Sequence, residues 1–325
     1  MFHKNQFMQM NPPSEKTHNN IKISVILPIY NAEKTIKHML DCLRVQTMPD
    51  FEVIMIDDGS TDSSSVICDE YAKKDSRFKA IHQLNAGVSA ARQTGLENAQ
   101  GGYIIHADAD DWIEPAMLEE LYNKAIKENA DVVICDFYTN NGNIEKYVKQ
   151  QPNGLDHTSI LHGLFQQLHG SCCNKLVKRV CYNKHCIKFT AGINHCEDLL
   201  TWIQLYQYPI KTAYLPKAFY HYIMNDNSIT HNFTRQTYEM RCMFYRELCK
   251  ALTINGFESD KRKMRLSILA EGYMYKVISN REVWIELMKY NKRAAFCETR
   301  SIRWLCGYLC LACGLFALSQ RLLKY

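Results

Sequence analysis

The chain has 325 residues, 46% hydrophobic and 22% charged, with 14 Gly, 8 Pro and a formal net charge of +5. That apolar fraction excludes disorder for most of the chain, the lack of a Gly-x-y period excludes a fibrous protein, and the length suggests about two domains. No apolar run reaches the roughly 18–20 residues of a spanning helix and no secretory signal is visible in Met1–Asn20, so the chain reads as globular and cytoplasmic.

Residues 1–20 lack periodicity and read as a disordered lead-in. Ile23–Pro28 is a β-branched run closed by proline, a buried strand and then a turn. Asn31 can cap a helix with Ile36, Met39, Leu40 and Leu43 on one face. Phe51–Ile56 is a strand ending in Asp57-Asp58-Gly59-Ser60, and a helix follows through Val66, Ile67 and Tyr71. Phe78–Gln83 is a third strand, and Val88–Ala99 a helix ended by Gly101-Gly102. Tyr103–Ala107 is a fourth strand, running into Asp108-Ala109-Asp110-Asp111. Glu114-Pro115 opens a helix to about Glu128, and Asp131–Phe137 is a fifth strand. This alternation predicts an α/β fold with an open, mostly parallel sheet and helices on both faces.

After the polar string Thr139–Asn153 the spacing loosens. It predicts a helix near Ser159–Leu168, short strands at Cys173–Val177 and Ile187–Phe189, and a helix after Glu197. Two β segments, Lys211–Leu215 and Ala218–Tyr222, come next, then a basic helical region over 233–295. Residues 1–230 carry a net charge of −4 and residues 231–325 a net +9, so an anionic partner or surface is expected at the C-terminal end. No nucleic-acid-binding signature accompanies it. The 14 cysteines are scattered and read as buried hydrophobes, metal or lipid attachment being the other reading; Cys172-Cys173 and the stripe Cys306, Cys310, Cys313 are the close groupings.

Ligands of an open parallel sheet bind beyond the carboxyl ends of its strands. Asp57, Asp58, Asp108 and Asp110 fall at such ends. Their joint placement suits a hard divalent cation, Mg2+ or Mn2+, which shares oxygen ligands with substrate phosphates. No dinucleotide-binding or P-loop glycine motif is present. Arg92 is therefore a candidate phosphate ligand, a solvated helix arginine being the other reading.

Four stretches in order resemble family 2 glycosyltransferases of GT-A fold: Ser24–Glu33, Ile56–Asp62, Asn85–Arg92 and Asp108–Trp112. Asn174-Lys175-Leu176, Glu197-Asp198-Leu199-Leu200 and Tyr220-His221-Tyr222 with Asn227–Thr230 resemble the acceptor half of that family. The resemblance implies a glycosyltransferase domain over 21–230, with a nucleotide-sugar half at 21–137 and an acceptor half at 138–230. It implies an inverting transfer from a nucleotide-sugar, UDP being the expected carrier, to a glycan or lipid-linked acceptor in surface polysaccharide synthesis. Pro28, Tyr30 and Glu33 would line the nucleoside pocket, Asp58 with Asp57 would hold base or ribose, and Asp108 and Asp110 would be the metal and diphosphate motif. Asp198 would be the catalytic base and Glu197 its neighbour. Two positions depart from the family pattern, Gln93 and Ile223; at the second, His221 or the basic tail would supply the missing diphosphate contact. The other readings are a sugar-nucleotide nucleotidyltransferase and a catalytically dead glycan-binding protein.

Residues 231–325 form a further region, with an apolar helix expected over 301–323. Its uncharged stretch Trp304–Leu318 has 15 residues and would span roughly 22 Å as a helix, short of a bilayer core. Flanked by Arg300, Arg303, Arg321 and Lys324, it reads as a helix lying in the interface of an anionic membrane, at the inner face of the cell membrane, or as a buried terminal helix or a dimer contact.

Overall fold

The computed structural model describes residues 21–224, 234–288 and, in the tail, 303, 306–307, 309–310, 313 and 315–323. The lead-in 1–20 and the Asn227–Thr230 stretch lie outside the described residues.

The strands are β1 (Ile23–Ile29), β2 (Phe51–Asp57), β3 (Phe78–His82), β4 (Tyr103–His106), β5 (Trp112–Ile113), β6 (Val132–Asn141), β7 (Ile144–Val148), β8 (Lys175–Lys178) and β9 (Thr212–Ile223). They form one sheet in the order β3-β2-β1-β4-β8-β6-β9-β5, with β7 paired to β6. The quartet β3-β2-β1-β4 is parallel, as is β6 with β9. β8 inserts antiparallel between β4 and β6. The fold is the expected α/β open sheet, with antiparallel joints in its second half.

The helices are α1 (Ile36–Arg44), α2 (Ser64–Lys74), α3 (Val88–Asn98), α4 (Met117–Glu128), α5 (His157–Leu164), α6 (Arg179–Lys184), α7 (Glu197–Leu205), α8 (Arg235–Ala251), α9 (Glu258–Met274), α10 (Asn280–Met288) and α11 (Phe316–Leu323). Strand side chains alternate between faces, and β1 divides accordingly. Val25, Leu27 and Ile29 join the core with Ile36, Met39, Leu40 and Leu43 of α1 and Leu118 and Leu121 of α4. Ile26 joins the core on the other face with Ala91 and Leu96 of α3 and Leu200 and Ile203 of α7. Helix α8 extends that second core through Phe244 and Leu248. Helices α8 to α10 add a small core of their own around Tyr238, Leu269 and Tyr273.

Four segments differ from the expectations. Residues 187–189 form no strand: the Phe189 N–H donates to Gln93 Oε1 (3.1 Å) and the Lys188 N–H to Gln204 Oε1 (3.4 Å), so side chains take the place of a ladder. The two β segments at 211–222 are one strand, β9. Pro216 lies where the β6–β9 register shifts between Leu215 and Ala218, and the shift absorbs the residue that cannot donate. Part of the polar string 139–153 is the β6–β7 hairpin, turning at Gly142 with φ +55°. Finally, the apolar tail is not one continuous helix among its described residues: Cys313 is in a turn, and the Leu315 N–H bonds back to the Cys310 carbonyl (2.8 Å) before α11 begins. Helix α11 packs on α9, where the Tyr273 hydroxyl donates to the Phe316 carbonyl (3.1 Å). No described helix is long and apolar enough to cross a membrane.

Glu52 on β2 ties the parallel quartet to the chain entering β4. Its carboxylate, 2% exposed, accepts from Ser24 Oγ (2.6 Å), Lys79 Nζ (2.6 Å) and the Gln100 N–H (2.7 Å). Burial pushes its pKa up, but Lys79, Ser24 and Gln100 outweigh burial and hold it below the usual range. Such a group contributes stability above its unfolded pKa of about 4.3, and that contribution is lost as pH falls through the lower folded pKa. Glu52→Gln is expected to cost about 1–3 kcal/mol at pH 7. Urea titrations should show the gap to the wild type narrowing below about pH 4; a gap independent of pH would contradict this account.

Candidate active site

The parallel register places Ile29 beside Asp57, and the Asp58 N–H continues it by donating to the Ile29 carbonyl (2.8 Å). The Ala107 N–H does the same to Ile26 (3.0 Å). The chains leaving β1, β2 and β4 therefore open together at one sheet edge. There they line a cleft of about 740 Å3 that includes Pro28, Tyr30, Glu33, Asp58, Asp108 and Asp110.

Asp57 and Asp58 part company, as consecutive residues on an extended chain must. Asp57 turns from the cleft to accept from the Ser60 N–H (3.1 Å) and to meet His82 Nδ1 (2.9 Å). The donor contact expected of Asp57 is thus not on the cleft wall. Asp58 faces the cleft and anchors the loop before α3, accepting from Gln83 Nε2 (2.7 Å) and from the N–H groups of Ala86 (3.0 Å) and Gly87 (2.8 Å). Gly87 starts α3 with φ +88°, and a Cβ there would come within 2.2 Å of the Asn194 side chain, so only glycine fits.

Arg92, one turn into α3, is neither a solvated arginine nor on the cleft wall. Its guanidinium is 4% exposed and spans three carboxylates. Nη2 donates to Asp108 Oδ1 (2.9 Å), while Nη1 donates to Glu197 Oε1 (2.6 Å) and to Asp198 Oδ1. Burial works against its charge, but Asp198, Asp108 and Glu197 raise its pKa well above the ordinary value. Helix α7 delivers the last two acids from its first turn, after Cys196 in the left-handed region at φ +64°. The preceding segment is tied to α3, where the Ser89 N–H donates to Asn194 Oδ1 (3.3 Å) and Ser89 Oγ to the Ile193 carbonyl.

One guanidinium facing three carboxylates leaves excess negative charge in a sheltered place, and the acids respond. Burial and the Asp198 charge push Glu197 up to about 7 against the pull of Arg92. Burial likewise pushes Asp198 up, with Arg92 opposing. Asp111, beside the expected metal pair, is pushed up to about 8 by burial, Asp108 and Asp110. It accepts from Tyr220 Oη (2.6 Å) and the Ile223 N–H (2.8 Å), locking the end of β9 to the end of β4. Tyr220 Oη in turn accepts from the Asp108 N–H (3.0 Å).

His221 lies elsewhere. It is stacked between Trp112 (centroids 3.4 Å) and Tyr138 (4.6 Å), with its ring nitrogens 3.5 Å from Glu114 and 3.2 Å from Glu145. Alternation along β9 sends Tyr220 to the aspartates and His221 the other way, so the diphosphate contact expected of His221 is not at the cleft.

The two carboxylates expected to hold a cation, Asp108 and the exposed Asp110, both stand on the cleft wall. No group of three or more His, Cys, Asp or Glu side chains that could hold a metal is present among the described residues. Two carboxylates suit Mg2+ or Mn2+, which keep coordination positions for phosphate oxygens. Sequence reasoning missed the partners of these acids. The Cys173 thiol donates to Asp108 Oδ2 (3.1 Å) and the Cys172 N–H to Asp198 Oδ2 (3.0 Å). The adjacent cysteines were the available signal; their sequence reads as buried hydrophobes, with metal or lipid attachment as the alternative.

Residues 24–185 match the family model described as Glycosyl transferase family 2. The EpsH protein of Bacillus subtilis is 32% identical over 251 residues, which covers 74% of this chain and 72% of that protein. A poly(ribitol-phosphate) beta-glucosyltransferase of Bacillus spizizenii is 31% identical over 212 residues, 63% of this chain and 32% of its own length. Among solved structures, S. aureus TarS 1-349 in complex with UDP-GlcNAc superposes with a TM-score of 0.69 at 21% identity, covering 93% of this chain and 90% of that one. That likeness extends the shared fold into the C-terminal helices.

Proposed function

This chain belongs to glycosyltransferase family 2, and from that premise we propose that it moves a sugar from a UDP-sugar to a hydroxyl of a glycan or lipid-linked acceptor, with inversion at the anomeric carbon. The observation that carries the reading is the grip of Arg92 on Asp108 from one strand end and on Glu197 and Asp198 from α7, beside a cleft of nucleotide size.

In this reading the nucleoside lies among Pro28, Glu33 and Asp58, with the half-exposed Tyr30 ring at the mouth. The UDP-GlcNAc held by the TarS fragment supports the choice of carrier. Asp108 and Asp110 would hold Mn2+ or Mg2+, which when bound acts as a Lewis acid on the leaving diphosphate. Asp198 takes the proton of the acceptor hydroxyl on a carboxylate oxygen as that hydroxyl attacks opposite the leaving group. Burial makes Asp198 a stronger base than a solvated aspartate, and Arg92 keeps it ionised enough to act. Glu197 shares the guanidinium as its neighbour. The β-glucosyl transfer named for the Bacillus spizizenii relative supports both inversion and a surface-polymer acceptor.

A panel of nucleotide-sugars with Mn2+ tests this. One UDP-sugar should release UDP at a rate stimulated by acceptor; pyrophosphate-dependent release, or none, would contradict the reading. We also place 301–323 against an anionic membrane surface, supported by exposed Leu309, Leu315, Phe316 and Leu318 beside Arg303 and Arg321. The chain should co-sediment with phosphatidylserine-containing vesicles and lose that on deletion of 301–325; equal sedimentation of both forms would remove the contact.

A further inference from the structure

We infer that Lys175, which touches neither acid, is the positioning residue that aims Asp108 and Asp198 by pinning the segment between them. The inference rests on the catalytic roles proposed above. Lys175 is fully buried on β8, with no carboxylate at ion-pair distance among the described residues. All three of its ammonium hydrogens are spent on neutral oxygens: the carbonyls of His169 (2.8 Å) and Ser171 (2.7 Å) and Asn174 Oδ1 (2.7 Å). Trp202 on α7 closes the pocket, its ring 5.3 Å from Nζ and its indole N–H donating to the same Ser171 carbonyl (3.3 Å). The Asn174 amide is itself fixed by donating to the Cys135 carbonyl (2.7 Å).

The geometry gives this arrangement a consequence for the site. With the Ser171 carbonyl drawn inward to the ammonium, the N–H of that same trans peptide points the opposite way, and this Cys172 N–H meets Asp198 Oδ2. One residue on, the Cys173 thiol reaches Asp108 Oδ2. Arg92 holds the inner oxygen of each acid, and the pinned segment holds the outer one, so the two carboxylates are each fixed at both ends. A buried ammonium without a counterion is costly unless fully hydrogen-bonded, and an apolar side chain would fill the same space at less cost. Burial already draws the Lys175 pKa down to about 8, so the charge is held here against that pull.

Lys175→Met keeps the stem against Trp202 and removes only the ammonium. It is expected to lower kcat about 30–100-fold, the scale of a misplaced reacting group, with the UDP-sugar dissociation constant within about threefold of wild type. Lys175→Ala leaves a hole into which ethylammonium, but not ethanol, should restore turnover saturably by tenfold or more. Asp198→Asn is assayed alongside. Lys175→Met turning over within threefold of wild type would overturn the inference. So would a loss of kcat matched by equal losses in donor binding and melting temperature, or a Lys175→Ala enzyme indifferent to ethylammonium. If Asp198→Asn is inactive while Lys175→Met is not, only this inference falls; if Asp198→Asn remains active, the assigned base falls and the inference with it.

Discussion

Arg92→Met is expected to be the most damaging single substitution in the chain. It removes the cation that, among the described residues, pairs with three sheltered carboxylates, Asp108, Glu197 and Asp198, and leaves their charges facing one another. Removing one partner of a buried ion pair typically costs about 3–5 kcal/mol, because the remaining charge is uncompensated. Turnover should fall at least about 1000-fold, since both ends of the reaction lose their alignment. The pH dependence carries the signature. Without the guanidinium Glu197 and Asp198, already raised by burial, take up protons at higher pH, which relieves the repulsion, so the stability deficit against wild type should shrink as pH falls. Lysine should not rescue, since a single ammonium cannot fork to carboxylates on two elements as Nη1 and Nη2 do. Denaturant midpoints at pH 5 and 8 with turnover at each check this; an Arg92→Met protein as stable as wild type, turning over within tenfold, would contradict it.

Asp198→Asn is expected to separate chemistry from binding. Asparagine keeps the shape and an acceptor oxygen for the Cys172 N–H, but cannot take a proton from the acceptor hydroxyl. Losing a general base typically costs about 100- to 10,000-fold in kcat. The donor KM should stay near wild type, because Asp198 does not line the cleft. Stability should fall only modestly: the new amide nitrogen faces Arg92 Nη1 as a second donor, but Arg92 keeps two carboxylate partners. Glu197→Gln supplies the contrast: a neighbour sharing the guanidinium should cost less than about tenfold. Steady-state kinetics of both variants decide the assignment. An Asp198→Asn enzyme within tenfold of wild type, or a Glu197→Gln enzyme much the weaker of the two, would move the base elsewhere.

The first half of the fold was legible because its signals are local. The short β-branched run of β1 and the period of 3.6 in α1 are both read from neighbouring residues; β1 is buried throughout, and Ile36, Met39, Leu40 and Leu43 are buried as that stripe requires. The second half was less legible because its order is set by distant pairings. Nothing in Lys175–Lys178 says that these residues enter antiparallel between β4 and β6. The two-residue β5 exists through its pairing with Tyr220 and His221.

The site divides the same way. Acids at strand ends were visible, but alternation alone could not say whether Asp57 or Asp58 faces the cleft. For His221 it could have: the Tyr-x-Tyr spacing already puts the middle residue on the opposite side from its neighbours. Arg92 was singled out for phosphate because its partners lie 16 and more than 100 residues away, and no local pattern records that three acids converge on it. The adjacency of Cys172 and Cys173 was visible, but a thiol on a carboxylate leaves no spacing that would assign the pair to Asp108 and Asp198.

The anomeric configuration of the transferred sugar bears most directly on the claim that one acid deprotonates the acceptor opposite a departing diphosphate. With the α-linked UDP-sugar selected by the donor panel, proton NMR of the isolated product should show a β-linkage, formed by wild type and not by Asp198→Asn. An α-linked product would mean that the acceptor arrives on the same side as the leaving group, and the arrangement of Asp198 across from Asp108 could not be the machinery of transfer.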